Sequence, residues 1–283
     1  MKLGFVFPGQ GSQSVCMGKD IFDSYSEYRD LYKKAEDILG INIATLTFES
    51  TDDILSQTQN SQITILLMSL GILEILKNKG IHSDCLAGLS LGEYSALIYS
   101  NSFDLVNGLK TVQSRGKLMQ ENIPDGNWSM CAFLGLEDVK VEKICEEASK
   151  YGFVVPANYN CPGQVVISGE QTAVTFAMEL AKKYGCKRAL ELKTKGPFHT
   201  KKLQVASDKF KEELKKIDIL HPNKTVIKNI DALPYTTKDD MVTVLSNHIT
   251  SPVRFRNSIV NMVDLGVDTF VEIGPRKNFK WFH

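Results

Sequence analysis

Residues Gly88-Leu89-Ser90-Leu91-Gly92 set a serine between two glycines, after one short apolar run and before another. A strand, a G-x-S-x-G turn and a helix in that order form a nucleophile elbow, which exposes the serine hydroxyl at the end of a sheet. Gly88 and Gly92 would let neighbouring backbone crowd the sharp turn, and Ser90 itself would be strained. The turn would aim the N–H of Leu91 at an oxyanion, and the following helix would add its positive end. The same pattern also fits a plain strand-turn-helix, so Ser90 needs a base to count as a nucleophile.

The chain has five histidines, at 82, 199, 221, 248 and 283. His82 precedes the strand too closely to fold back on Ser90, His221 stands before Pro222 in a loop, and His283 is the last residue. His199 and His248 remain. His199, in "GPFHTKKL", lies four residues before Leu203 and shares the buried face of a stripe formed by Leu203, Ala206, Phe210, Leu214 and Ile217. A helix N-terminus disfavours an imidazolium there, leaving a neutral ring able to accept a proton. Alone it would read as a capped core histidine; beside Ser90 it reads as a base. Arg115 stands at the edge of a second stripe, Leu105, Leu109, Val112, Gly116 and Met119. An inward guanidinium is costly unless it meets an anion. That anion is either an internal carboxylate or a substrate carboxylate held by two parallel hydrogen bonds.

Short β-rich runs alternate with helical ones, the pattern of an α/β domain with a parallel sheet. Strands are expected at Leu3 to Phe7, Asp84 to Gly88, Thr225 to Asn229 and Asp268 to Glu272, with helices at "LYKKAEDILG" and from Ile63 to Asn78. From about Gly126 to Lys195 the order becomes β-α-β-β-α-β, a ferredoxin-like arrangement, with strands in "MCAFLG", "VVPAN", "QVVISG" and "CKRALELK" and a turn at "YNCPG". The expected organisation is therefore a large domain of residues 1–125 and 196–283 with an inserted subdomain of residues 126–195. A cleft between them is a natural substrate site.

The 33 basic and 33 acidic residues cancel, giving no general field for nucleic acid or an anionic membrane. The apolar stretch "QITILLMSLGILEILKNKG" is broken by Ser69, Gly71 and Glu74, so a buried core helix is expected rather than a membrane span. The opening apolar run is too short for a signal peptide. The six cysteines form no C-x-x-C pair, which suggests reduced thiols in a cytoplasmic protein without a metal site.

Taken together, these pieces resemble the malonyl-CoA:acyl-carrier-protein transacylases of fatty-acid synthesis and, more broadly, the acyltransferase domains of polyketide synthases. The resemblance runs through "FVFPGQGSQ", "GLSLGEYSAL", "RGKLMQ", "ANYNCPGQVVISG", "GPFH", "SPVRF" and "VEIGP", in order over nearly the whole chain. It implies an α/β-hydrolase-like large domain with a parallel sheet. Ser90 would be the acylated nucleophile and His199 its base, with the N–H groups of Gln10 and Leu91 forming the oxyanion hole. Arg115 would bind the free malonyl carboxylate, with Asn160 and Gln62 as further polar positions of the site. The family orients its histidine through a main-chain carbonyl at a position that is usually glutamine and here is His248. Phe198, beside the histidine, would crowd an α-branch and favour malonyl over methylmalonyl.

The implied reaction is ping-pong transfer of malonyl from malonyl-CoA to the phosphopantetheine thiol of acyl carrier protein. It would need no cofactor, no nucleic acid and no membrane, and a monomer is expected. Carrier proteins are acidic, so Lys182, Lys183, Lys187, Arg188, Lys193, Lys195, Lys201 and Lys202 are candidates for docking; each alone reads as an ordinary solvated cation. Two departures from the family stand out. Leu89 replaces the histidine usual before the nucleophile, and Arg276 replaces a glycine near the end. The competing readings are a trans-acting acyltransferase of a polyketide pathway, an acyl-thioester hydrolase using the same pair, and a catalytically silent carrier-binding module.

Overall fold

A computed structural model describes residues 1–194 and 196–275; Lys195, Arg276 and His283 lie outside the described residues. Among the described residues, eight strands fall into two sheets: β1 Leu3–Phe7, β2 Cys85–Gly88, β3 Trp128–Leu134, β4 Val154–Cys161, β5 Gln164–Glu170, β6 Arg188–Glu191, β7 Thr225–Ile227 and β8 Thr269–Glu272. The first sheet is parallel, in the order β7-β2-β1-β8, with Phe7 opposite Gly88 and Ala87 opposite Ile227.

Both faces of the central strands β1 and β2 are covered, which is why they read as continuous apolar runs. Phe5, Phe7 and Leu86 face a core shared with Ile65, Leu66 and Leu97, while Val6, Cys85 and Ala87 face Phe255 and Met262. The Thr58–Asn78 helix is apolar and long enough to cross a membrane, yet it is largely buried inside the fold and packs on the Leu105–Glu121 helix. It starts five residues earlier than its apolar run suggests.

The second sheet is antiparallel, in the order β4-β5-β3-β6. Its alternation divides two environments. Cys131, Phe133, Val165 and Ile167 pack under the helices Asp138–Ala148 and Gln171–Lys183. Met130, Ala132 and Val166 point the other way, into the main core beside Phe198.

Two segments differ from the sequence expectation. β4 continues through Tyr159, Asn160 and Cys161, where a turn was expected, with register shifts at Pro156/Asn158 and Tyr159/Cys161. An edge strand tolerates a proline and such bulges because only one side of it is laddered to a neighbouring strand of the sheet. β7 stops at Ile227, two residues early, because the Lys228 N–H turns away to the Leu233 carbonyl. The edge of β4 is tied to the first unit: Tyr159 N–H donates to the Val253 carbonyl and Val253 N–H to the Ala157 carbonyl, both at 2.8 Å. Arg256 adds an ion pair to Asp138 at 2.6 Å.

Candidate active site

β2 ends at Gly88 and a helix begins at Gly92, so Ser90 sits at the C-terminal end of the parallel sheet. Its φ is +53°, a left-handed conformation that costs a non-glycine residue about 1–3 kcal/mol. The flanking glycines are required by contact. A Cβ on Gly88 would fall 1.9 Å from the Gly92 carbonyl carbon, and one on Gly92 would fall 2.2 Å from the Phe7 oxygen. The Leu89 N–H donates to that Phe7 oxygen at 2.9 Å, tying the turn to β1.

Ser90 Oγ lies 2.8 Å from His199 Nε2, and His199 Nδ1 lies 3.1 Å from the His248 carbonyl oxygen. A carbonyl only accepts, so Nδ1 carries the proton and Nε2 is left as the acceptor for the serine proton. His199 is buried and has a φ of +59°. It precedes the short turn Lys201–Leu203 and the helix Gln204–Leu214. Its pKa falls to about 4, chiefly from burial and then from the Arg115 cation. The neutrality expected from a helix terminus thus has a different cause. The His248 ring is fully buried, 5.4 Å from the His199 ring, and neither of its nitrogens has a hydrogen-bond partner among the described residues.

Arg115 is fully buried. Nη1 donates to Gln62 Oε1 at 2.7 Å, Nη2 donates to Ser90 Oγ at 3.2 Å, and the guanidinium stands 5.1 Å from the centre of the Tyr94 ring. Nε has no partner, and among the described residues no carboxylate forms an ion pair with this cation. The internal ion pair is therefore not the arrangement found. A buried guanidinium whose hydrogen-bond acceptors are neutral can hold an anionic ligand group.

A cavity of about 560 Å³ opens over Ser90, between the Gly9–Gln10 loop and the Met130, Ala132 and Val166 face of the antiparallel sheet. Ser90, His199, Gln10, Asn160 and Phe198 line it, whereas Arg115, Gln62, Leu91 and His248 stand behind its wall. The Asn160 Oδ1 is buried without a partner, and the N–H groups of Gln10 and Leu91 donate to no acceptor among the described residues. Free N–H groups beside a nucleophile can hold the oxyanion of acyl transfer.

Three residues behind the turn were not anticipated. Asn229 Oδ1 accepts from the Ser90 N–H, Glu93 Oε2 accepts from the Asn229 N–H, and Glu93 Oε1 accepts from the Tyr235 hydroxyl. Glu93 carried a readable signal: it is the one charged residue within the apolar helix Gly92–Tyr99. Nothing local marks Asn229.

The Acyl transferase domain family matches residues 4–278. The malonyl CoA-acyl carrier protein transacylase of Bacillus subtilis is 40% identical over 277 residues, which is 98% of this chain and 87% of that protein. A crystal structure of the enzyme of that name from Clostridium perfringens superposes with a TM-score of 0.93 at 42% identity, covering 98% of this chain and 87% of that one. A malonyl-transacylase solved in complex with a type II polyketide-synthase acyl carrier protein gives a TM-score of 0.93 at 33% identity, covering 98% and 90% of the two chains.

Proposed function

This chain belongs to the acyl transferase domain family, and we propose that it moves a malonyl group from malonyl-CoA to the thiol of an acyl carrier protein through Ser90. The observation that carries the reading is the contact set of one atom: Ser90 Oγ touches both the neutral His199 and a buried Arg115 that forms no ion pair with a carboxylate among the described residues.

Ser90 Oγ attacks the thioester carbonyl carbon as its proton passes to His199 Nε2. The tetrahedral oxyanion is held by the N–H groups of Gln10 and Leu91; such a donor is worth about 2.7–4 kcal/mol of barrier. The carbon–sulfur bond breaks, and the leaving CoA sulfur takes the proton from His199. The carrier thiol then attacks the malonyl-serine ester with His199 again moving the proton, and Ser90 is released. General-base help of this kind contributes roughly 10²–10⁴-fold. Arg115 pairs with the free malonyl carboxylate, with Gln62 orienting the guanidinium. Asn160 presents its free Oδ1 to the cavity, and the His248 carbonyl fixes the His199 tautomer. The mechanism uses only groups of this chain and its two thioester partners, with no cofactor.

We read the parallel-sheet unit of residues 1–125 and 196–283 as an α/β-hydrolase-like catalytic domain. The strand order β4-β5-β3-β6 with both helices on one face supports a ferredoxin-like reading of residues 126–195. The protein works as a cytoplasmic monomer in this reading.

The test is intact mass after mixing with malonyl-CoA or acetyl-CoA, beside Ser90→Ala. A malonyl adduct that needs Ser90 and passes to added carrier protein is expected. Free CoA without a transferable adduct would mark a hydrolase, and neither adduct nor release would leave a silent module.

A further inference from the structure

β2 and β7 part company just where the nucleophile turn begins. Their last paired residues are Ala87 and Ile227. Lys228, which would continue the ladder opposite Gly88, instead sends its N–H to Leu233. The polar groups of the turn on that side, the Gly88 carbonyl and the Ser90 N–H, are left without strand partners in a buried place, where each would be costly to leave unpaired.

One side chain supplies both. Asn229 Nδ2 donates to the Gly88 carbonyl at 2.6 Å, and Asn229 Oδ1 accepts from the Ser90 N–H at 2.7 Å. A single planar carboxamide thus spans Leu89 and grips the turn before and after it. The amide is itself fixed. Asn229 is fully buried, its N–H donates to Glu93 Oε2 at 2.9 Å, and its carbonyl accepts from the Arg254 N–H at 2.9 Å. Glu93 is steadied in turn by the Tyr235 hydroxyl.

We propose that Asn229, held by Glu93, is a positioning residue of acyl transfer, keeping Ser90 in the left-handed turn from which Oγ meets His199. The inference rests on the acyl-transfer reading. A strained φ persists only where its surroundings over-determine it, and the two hydrogen bonds of the amide oppose relaxation of Ser90 toward an ordinary conformation. Relaxation would move Oγ away from His199 Nε2 and turn the Leu91 N–H away from the oxyanion. A displacement of about 1 Å can cost on the order of 10²-fold in rate. Asn229 touches neither the cavity nor any ligand group, so its loss acts on the chemical step and spares binding.

The experiment follows the rate of adduct formation at Ser90 by rapid-quench intact mass, using malonyl-CoA and, separately, a serine-directed fluorophosphonate. Parent, Asn229→Ala and Asn229→Asp are compared, with thermal melts of each. Asn229→Ala should lose about 10²-fold in the maximal loading rate with little change in the malonyl-CoA concentration giving half that rate. Asn229→Asp gives a readout that a merely structural role would not. As a neutral acid it can both accept from Ser90 N–H and donate to the Gly88 carbonyl; as a carboxylate it can only accept, and it faces that carbonyl as a second anionic acceptor. Its rate should approach the parent's at low pH and fall away as pH rises. Glu93, Tyr235, Asp231, His248, His199, Arg115, Arg254 and Lys228, with the latter's partner Asp239, are the titratable and charged groups around this amide. All are present in the parent, so the ratio of variant to parent isolates the new acid.

An Asn229→Ala protein that loads within threefold of the parent overturns the proposal, as does an Asn229→Asp profile parallel to the parent's. If the alanine variant does not fold, the aspartate profile decides. A parent that takes up fluorophosphonate but never malonyl would overturn the substrate reading, and the fluorophosphonate rates would still judge Asn229.

Discussion

Arg115 Nη2 donates to Ser90 Oγ across 3.2 Å, so the buried cation touches the nucleophile itself. With Nη1 held by Gln62 and Nε unpaired, the guanidinium has donors to spare and no ion-paired carboxylate among the described residues. A malonyl carboxylate would supply that anion and an acetyl group would not. Sites built to pair a polar group discriminate strongly against ligands that leave it unpaired. Arg115→Ala should therefore cut the preference for malonyl-CoA over acetyl-CoA, as a ratio of kcat/KM values, by about 10²-fold or more. An unchanged ratio would remove Arg115 from substrate recognition.

The same cation acts on His199, the proposed base. His199 is held down to about 4 by burial first and by Arg115 second. A base works when neutral, so activity should rise with pH through about 4 and be flat by pH 6, instead of rising near the ordinary histidine value of 6.5. Removing the cation removes one of the lowering effects, so the acid limb of Arg115→Ala should lie at higher pH than the parent's. The check is kcat/KM for malonyl-CoA from pH 4 to 8. An acid limb near 6.5 in the parent would contradict the buried, cation-facing histidine.

How much of this was legible in the sequence follows the range of the contacts. Gly88, Ser90 and Gly92 declare themselves because the G-x-S-x-G pattern is local, although the carbonyl that crowds Gly92 belongs to Phe7 on β1. β1 and β2 were placed within a residue because strands covered on both faces leave unbroken apolar runs, and the partly exposed edge strand β8 was placed as closely. His199 emerged by elimination, since few histidines could reach Ser90, but its neutrality comes from burial first and then from Arg115, 84 positions earlier in the chain, and no spacing rule reports either. Asn229 was out of reach for the same reason: its partners Ser90 and Gly88 lie 139 and 141 residues away, and it acts where one ladder ends. At β4, proline and glycine near "YNCPG" suggested a longer turn, while cross-strand pairing with β5 carried the strand through to Cys161.

Glu93 gives a prediction on stability. Burial raises its carboxyl from the ordinary 4.5 to about 7, against the opposing hydrogen bonds from Tyr235 and the Asn229 N–H. The folded protein then keeps this proton up to about pH 7, whereas the unfolded chain releases it near 4.5. The folded state binds more protons in that window, so the group's contribution is full below 4.5, falls as pH rises through 7, and levels off above. Glu93→Gln removes the titration. Its stability relative to the parent should improve between pH 5 and 8, by up to about 3 kcal/mol. Urea unfolding at both pH values measures the difference, and a gap that does not change with pH would show that the carboxyl is not held protonated.

The exposed lysines give a test of carrier docking. Lys202 holds its ammonium 4.9 Å from the Phe153 ring centre and 5.8 Å from that of Trp128, beside Lys201 and close in sequence to His199. An acidic carrier would be steered to such a face, and steering weakens with salt. Lys201→Glu with Lys202→Glu should raise the KM for carrier protein at least about fivefold, leave kcat and the rate of malonyl loading nearly unchanged, and flatten the salt dependence. A carrier KM equal to the parent's would place docking elsewhere.

Phe198 offers the sharpest steric prediction. Its ring is buried and lines the cavity with Ser90 and His199. It is also braced from behind: a Cβ on Gly196 would lie 2.9 Å from Phe198 Cζ and 3.1 Å from Ile123 Cδ1, so glycine leaves just enough room for the ring. In the proposed acyl-enzyme, the α-carbon of the group on Ser90 would enter the space between this ring and the nucleophile turn. A methyl branch there meets an aromatic wall that cannot retreat, whereas an unbranched malonyl methylene passes. One methyl is worth about 1–3 kcal/mol in such a pocket. Phe198→Ser should therefore shift the ratio of methylmalonyl to malonyl loading upward by roughly 10-fold or more, with Ser90, His199 and Arg115 intact. Competition between the two CoA thioesters, read by intact mass of the acyl-enzyme, measures that ratio directly. A ratio that stays at the parent's value would mean that the branch points away from Phe198 and that another wall of the cavity sets the choice.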